Sequence, residues 1–152
     1  MKNMKNQYGR LSAMTILSFI SMYALMYAMV NTFANVVPSY NQIYMAGLMT
    51  APMVILELLL MGDMYPNRKR NIVILAGSAI ALLAFWVGIR QQVAVGDVQM
   101  LKSMIPHHAG AVLMCGEAAL SDSEAKELCR TIVSGQQAEI AKMKDMLTRL
   151  QR

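Results

Sequence analysis

The sequence predicts an all-α membrane protein in which three membrane-spanning helices precede an extracytoplasmic helical hairpin. Three observations carry that expectation. Apolar residues make up 56% of the 152-residue chain and are concentrated before Val95. The cations that flank the apolar blocks are placed asymmetrically, and beyond Asp97 apolar residues recur at three and four rather than in long runs. The expected division is a membrane domain over residues 1–94 and a hairpin domain over residues 95–152.

The first apolar block runs from Leu11 to Val37, the second from Ile43 to Met64 and the third from Ile72 to Ile89. Each is on the order of 20 residues, enough to cross hydrocarbon as a helix. A cleaved signal peptide is the rival for the first block. Its apolar run exceeds the usual ~7–15 residues and no small-x-small site comes after it, so retention as a membrane helix is expected.

Charge sets the orientation. Lys2, Lys5 and Arg10 precede the first block, Arg68, Lys69 and Arg70 lie between the second and third, and the Pro38-to-Gln42 connection carries none. Positive-inside places the N-terminus in the cytoplasm and everything after Arg90 outside it, in the periplasm or exterior if the bilayer is a bacterial inner membrane. The net charge of +5 comes entirely from these flanking cations. From Asp97 onward seven basic residues (Lys102, Lys126, Arg130, Lys142, Lys144, Arg149, Arg152) balance seven acidic ones (Asp97, Glu117, Asp122, Glu124, Glu127, Glu139, Asp145). A surface that tracks phosphates is therefore excluded, and with it a nucleic-acid partner.

Two amphipathic helices make up the tail. Leu101, Met104, Ile105, His108, Val112 and Cys115 share one helical face, and Leu128, Ile132, Ile140, Met143 and Leu147 share another. Ser121 with Glu124 three residues later reads as a capping box, so the turn falls near Asp122. Antiparallel pairing about that turn sets Cys115 near Cys129, His107 and His108 near Gln136 and Gln137, and Met104 near Ile140, one turn from Met143. Pro106 cannot donate to the carbonyl of Lys102, so it either kinks the helix or starts it.

Both histidines of the chain lie in Met104-Ile105-Pro106-His107-His108. Met104 stands three and four residues before them, with Met100 a turn earlier, so thioether and imidazole project from neighbouring positions of one helix. Glu139, Met143 and Met146 can approach from the second helix. Soft thioethers favour Cu(I) and imidazole also serves Cu(II), so a mixed set points to copper above zinc. Carboxylates are too sparse for calcium or magnesium, and neither histidine has the preceding glutamate of a di-iron centre. Packing on an apolar face accounts for the same Met and His spacing without any metal.

The run from Asp97 to Leu147 resembles the domain of unknown function 305. The likeness rests on Met-Ile-Pro-His-His-Ala-Gly-Ala at Met104–Ala111, Met114 six residues after His108, and Gln137-Ala138-Glu139-Ile140 with Met143 beyond it. Family members are similar to ferritin-like helical bundles, are often exported, and include periplasmic copper-binding proteins. The resemblance implies Met104, His107, His108, Met114 and Met143 as metal ligands here; Met100, Glu139 and Met146, brought near by helical spacing alone, are further candidates. Met100 departs from an expected aromatic, Met146 from a common tryptophan, and Cys115 and Cys129 from usual alanines. The first two changes add thioethers near the site or merely conserve core volume. The cysteines sit symmetrically about Asp122, so a disulfide suits an oxidising compartment; reduced core cysteines and thiolate ligands are the alternatives.

Sixteen methionines are spread through the chain, and Met45, Met49, Met53, Glu57 and Met61 recur every four residues through the second block. Lipid-facing packing explains such a stripe more simply than a copper path. Glu57 stands out, because an intramembrane carboxyl is costly and normally faces a partner. Tyr23, Tyr27 and Asn31 are the expected partners, with either helix pairing or a proton or metal role.

A single hairpin leaves an apolar stripe uncovered. A homodimer or higher homo-oligomer completing a four-helix ferritin-like bundle is therefore expected. Two functions fit these features: a membrane-anchored copper-binding or copper-handling protein that exchanges the ion with an unidentified donor or acceptor protein, or a non-catalytic membrane scaffold whose Met/His cluster is structural. A metal-dependent redox enzyme comes third, since no nucleophile, base and orienter are visible together.

Overall fold

The computed structural model describes residues 5–152, with side chains from residue 6. Lys2, one of the topogenic cations, lies outside the described residues. Among them the chain forms five α-helices and no strand: α1 (Lys5–Leu25), α2 (Tyr40–Leu60), α3 (Arg68–Arg90), α4 (Asp97–Glu117) and α5 (Ser123–Leu150). Short 3-10 turns occupy Met26–Met29, Phe33–Asn35 and Gly62–Met64. Three segments, Asn6–Met29, Tyr40–Leu60 and Arg68–Arg90, are long and apolar enough to cross a membrane. The described chain divides into two compact units.

The first unit holds α1 and Asn41–Val93. Its centre is α2, which buries Ala46, Gly47, Thr50, Ala51, Val54 and Leu58, whereas α3 buries only Gly88. Two glycine–aromatic seats join α2 to α3. A Cβ on Gly47 would collide with the Phe85 ring, and one on Gly88 would stand 3.3 Å from the Tyr44 ring. Small residues let helix backbones approach where lipid gives no hydrophobic drive. Thr50 satisfies its hydroxyl on the Ala46 carbonyl at 2.8 Å. Of the methionine stripe, Met45, Met49 and Met61 are exposed and Met53 is half-buried.

A polar network pins one end of this unit. The Tyr8 hydroxyl donates to Asn71 Oδ1 at 2.7 Å and lies 3.2 Å from the Asn67 backbone N–H, which donates to it. Asn71 Nδ2 donates to the Tyr65 carbonyl at 2.8 Å, and Asn67 Oδ1 caps α3 by accepting from the Arg70 N–H at 3.0 Å. The Tyr8 and Tyr65 rings are 5.4 Å apart, and the Arg70 guanidinium sits 5.6 Å over Tyr8. The Glu57 carboxylate accepts from the Tyr65 hydroxyl at 3.0 Å, a partner that spacing did not name, and Asn31 is paired with Asn35. Glu57 lies in the last turn of α2, so the loop beyond the helix reaches it more readily than a distant span.

The second unit combines α4 and α5 with Met26–Tyr40. The helices form the expected hairpin, joined by a Cys115–Cys129 disulfide with Cα atoms 5.1 Å apart. Its core takes Leu101, Ile105, Ala109 and Val112 from α4 and Ile140, Met143 and Leu147 from α5. Leu128, assigned to the inner face by spacing, is instead 60% exposed. The turn end is held by the disulfide rather than by apolar burial.

Three further expectations are corrected here. The first apolar block does not continue as helix to Val37: α1 ends at Leu25, and the polar pair Asn31-Thr32, then Asn35 and Pro38, interrupt the rest of the block. That segment folds onto α4, where Val30 and Val37 pack against the hairpin core and Gly110 admits the Met29 carbonyl. The cap of α5 is Asp122, whose Oδ1 accepts from the Ala125 N–H at 2.8 Å, displacing the Ser121–Glu124 box. A carboxylate at the positive end of the helix dipole is the better acceptor. Pro106 lies in the interior of α4 and does not start it.

Candidate functional site

The site is built at the end of the hairpin away from the disulfide. Met104 and Met146 pack against the same cluster that contains Met143, so three thioethers from two helices share one neighbourhood. Met143 is buried, Met104 and Met146 are half-buried, and Met100, one turn before Met104, is exposed. This agrees with the antiparallel register anticipated from the turn.

Met114 does not join them. It lies on the same continuous helix as Met104, about 15 Å along the axis at ~1.5 Å per residue. Its side chain is exposed. The ligand set implied by the family resemblance therefore does not converge within one chain.

The two histidines have opposite surroundings. His107 is exposed and, among the described residues, makes no hydrogen bond; its ring stands 6.0 Å from that of His108. His108 is 8% exposed and uses both ring nitrogens. Nδ1 lies 2.9 Å from the Met104 carbonyl oxygen and Nε2 lies 2.7 Å from Glu139 Oε2. A carbonyl only accepts, so Nδ1 carries hydrogen, and a proton lies between Nε2 and the carboxylate. A metal on His108 has to displace that proton and part the imidazole from Glu139. His108 thus clamps α4 to α5 and, through the carbonyl, fixes the backbone of Met104.

Glu139 is itself well exposed, so this hydrogen bond is screened by solvent and contributes more to orientation than to stability. Among the described residues no three His, Cys, Asp or Glu side chains gather closely enough to hold a metal.

Sequence reasoning missed the segment over α4. Val30, Val37 and the buried Asn35 cover part of the hairpin that spacing left open. The polar break at Asn31-Thr32 was the available signal. Gln99 was missed as well; its Oε1 accepts from the Tyr40 N–H at 3.1 Å, tying α4 to the end of that segment.

Comparison with known proteins places the chain in a family without assigning it an activity. A relative from Acanthamoeba polyphaga mimivirus, uncharacterized protein L153, is 30% identical over 137 residues, which cover 88% of each chain. No solved structure matches. The family model described as a domain of unknown function (DUF305) matches residues 88–147, spanning α4 and the motif around His107 and His108. On the strength of that match and of a relative similar over nearly its whole length, the chain belongs to the DUF305 family.

Proposed function

We propose that the protein is a membrane-anchored copper-binding protein that captures Cu(I), and through imidazole Cu(II), at the Met/His end of its hairpin. The observation that carries this reading is the packing of Met104 and Met146 on the hairpin core that contains Met143, with His107 exposed three residues after Met104. Thioethers supply soft sulfur without the proton release that thiols require, so they hold Cu(I) across a wide pH range. Met100 and Glu139 flank the cluster. His108 acts first as the clamp that sets Met104 and becomes a ligand only when it leaves Glu139.

In this reading the N-terminus is cytoplasmic and the hairpin extracytoplasmic, a placement that suits the Cys115–Cys129 disulfide. A second copy completes a ferritin-like four-helix bundle by covering exposed apolar side chains such as Met100, Met114 and Leu128. Dimerisation also gives Met114 a role that one chain denies it, as a ligand offered to the partner copy.

The test is Cu(I) titration of the full-length protein in detergent against a chromophoric chelator, with helicity monitored throughout. The full chain is required because Met26–Tyr40 belongs to the hairpin unit. Met104→Leu, Met143→Leu and His107→Ala should each weaken binding by at least about tenfold while staying folded. Unchanged binding in all three would reject the site.

One observation favours a second reading. His108 is fully engaged and Met143 is core, as in a scaffold whose cluster is structural and whose hairpin recruits a partner. In that case the wild-type protein binds no Cu(I), and Met143→Leu leaves every property but stability unchanged.

A further inference from the structure

The Cys115–Cys129 bond closes the turn of the hairpin, and it is also part of the wall of an open groove of about 550 Å³. The groove has two sides. One is the last turn of α4 with Cys115 and the loop at Leu120, and the other is the face of α5 that carries Lys126, Cys129 and Arg130. Both cysteines are half-buried, so a small molecule in the groove reaches the bond.

Charge in the groove is one-sided. Lys126 and Arg130 stand one turn apart on α5, and among the described residues no carboxylate lines the groove with them. Glu127 holds Arg130 at 2.8 Å, whereas Lys126 makes no ion pair among the described residues. The two sulfurs differ accordingly. Cys115 lies in the last turn of α4, at the negative end of that helix, and Cys129 lies three residues after Lys126 and next to Arg130. Negative charge is therefore held better on the sulfur of Cys129 than on that of Cys115.

Little packing resists opening here. The buried core members nearest the bond are Val112 and Ile140, and Leu128 is 60% exposed, so the sulfurs can part without unpacking the core. Leu128 also projects about 200° around α5 from Lys126, so a second copy seated on Leu128 leaves the groove open.

We propose that the disulfide is an exchange site for an anionic low-molecular-weight thiol. The thiolate of that co-reactant attacks Cys115 Sγ. The Cys115–Cys129 bond breaks as the new sulfur–sulfur bond forms, and its electron pair leaves on Cys129 Sγ beside Lys126 and Arg130. The co-reactant's sulfur is oxidised into a mixed disulfide on Cys115, and Cys129 is reduced to a thiolate. Return of that thiolate onto Cys115 Sγ expels the small thiol and restores the bridge. The two cations draw in the anionic body of the thiol and stabilise the departing sulfur. The groove lies at the end of the hairpin away from the Met/His cluster, and the exchange is independent of any metal there.

The experiment uses oxidised full-length protein in neutral detergent, treated with mercaptopropionate or cysteamine, which are similar in size and opposite in charge. Each rate is divided by that of the same thiol with a neutral model disulfide, which removes the thiol's own reactivity. The adduct is trapped by alkylation and mapped by mass spectrometry, with helicity monitored throughout. Mercaptopropionate should react at least about threefold faster on this scale, the size of one exposed charge interaction, and the advantage should shrink with added salt. Lys126→Gln/Arg130→Gln should erase the advantage and Lys126→Arg should keep it. The small thiol should be found on Cys115. Equal normalised rates, an advantage that survives the double variant, an adduct chiefly on Cys129, or a bond that exchanges only once helicity is lost would overturn the proposal.

Discussion

The two units are built from helices of similar length, but α3 of the first and α4 of the second differ sharply in what they bury. In the 23-residue α3 the only buried position is Gly88, and Ile72, Val73, Ile80, Leu83 and Trp86 all stand exposed. In the 21-residue α4 the buried set is Leu101, Ile105, His108, Ala109, Gly110 and Val112. The first unit buries small residues of α2 where helix backbones approach, together with a cluster of Leu11, Val54, Leu58 and Tyr65. The second buries Leu101, Ile105, Ile140, Met143 and Leu147 along the hairpin seam. Burial of large apolar side chains therefore serves both units, and the glycine–aromatic seats are what the first adds.

The largest expected effect exploits two isoleucines. Ile105 is fully buried and Ile80 is 70% exposed. Ile105→Ala should cost about 2–5 kcal/mol, the loss of transfer energy plus a cavity, while Ile80→Ala should lie within about 0.5 kcal/mol of wild type. Thermal unfolding in detergent, monitored by helicity, measures both. Comparable losses at the two sites would show that the exposed face of α3 is buried against something in the folded protein after all.

The disulfide comes next, because the turn end of the hairpin has little else. Closing a loop with a sequence separation of 14 contributes about 3 kcal/mol on the chain-entropy model. The Cys115→Ala/Cys129→Ala variant should unfold in its hairpin at lower temperature, and added reductant should shift the wild type toward the variant and leave the variant unmoved. The melting of the spans, read through Trp86 of α3, should not respond.

Much of this contrast is legible in the sequence. Unbroken apolar runs mark the spans, recurrence at three and four marks the hairpin, and the placement of Cys115 and Cys129 about Asp122 marks the bridge. The cap of α5 is ambiguous by composition because Ser121 and Asp122 both suit the position, and only the geometry of the Ala125 N–H decides between them. The Met26–Tyr40 segment reads as span because its composition is apolar. Its Asn31–Asn35 pair and its packing on Gly110 are tertiary facts that hydropathy does not encode. At the site, spacing puts His108 on the inner face and Met104 near Ile140, one turn from Met143. It does not reveal that Glu139 and the Met104 carbonyl occupy both imidazole nitrogens, because that depends on rotamer and register together.

Within the first unit, glycines sharpen the principle that small residues are its contacts. Gly47→Val should force the Phe85 ring aside and cost about 1–3 kcal/mol. Gly77 has open space where a Cβ would go, so Gly77→Ala on the same pair of helices should be neutral or slightly stabilising through helix propensity. Detergent stability of the two variants, compared side by side, separates a packing requirement from a general intolerance of change. Equal effects would remove the glycine–aromatic seat as an explanation.

The smallest effect concerns the polar network at the end of the first unit. Burial of the Tyr65 ring, then its hydrogen bond to Glu57 and the negative charge there, raise the tyrosine above its ordinary value near 10. The folded state therefore holds that proton more tightly than the unfolded one. The associated stability is fully present below pH ~10 and is lost as the pH rises through the raised folded value. Tyr65→Phe removes the hydroxyl, should cost about 0.5–1.5 kcal/mol at neutral pH, and should flatten the loss of stability as the pH rises above about 10 relative to wild type. Melting temperatures of the two proteins across that range carry the test. Parallel alkaline profiles would mean that the Tyr65–Glu57 bond does not bear on folding, and that ring packing alone gives this end of the unit its order.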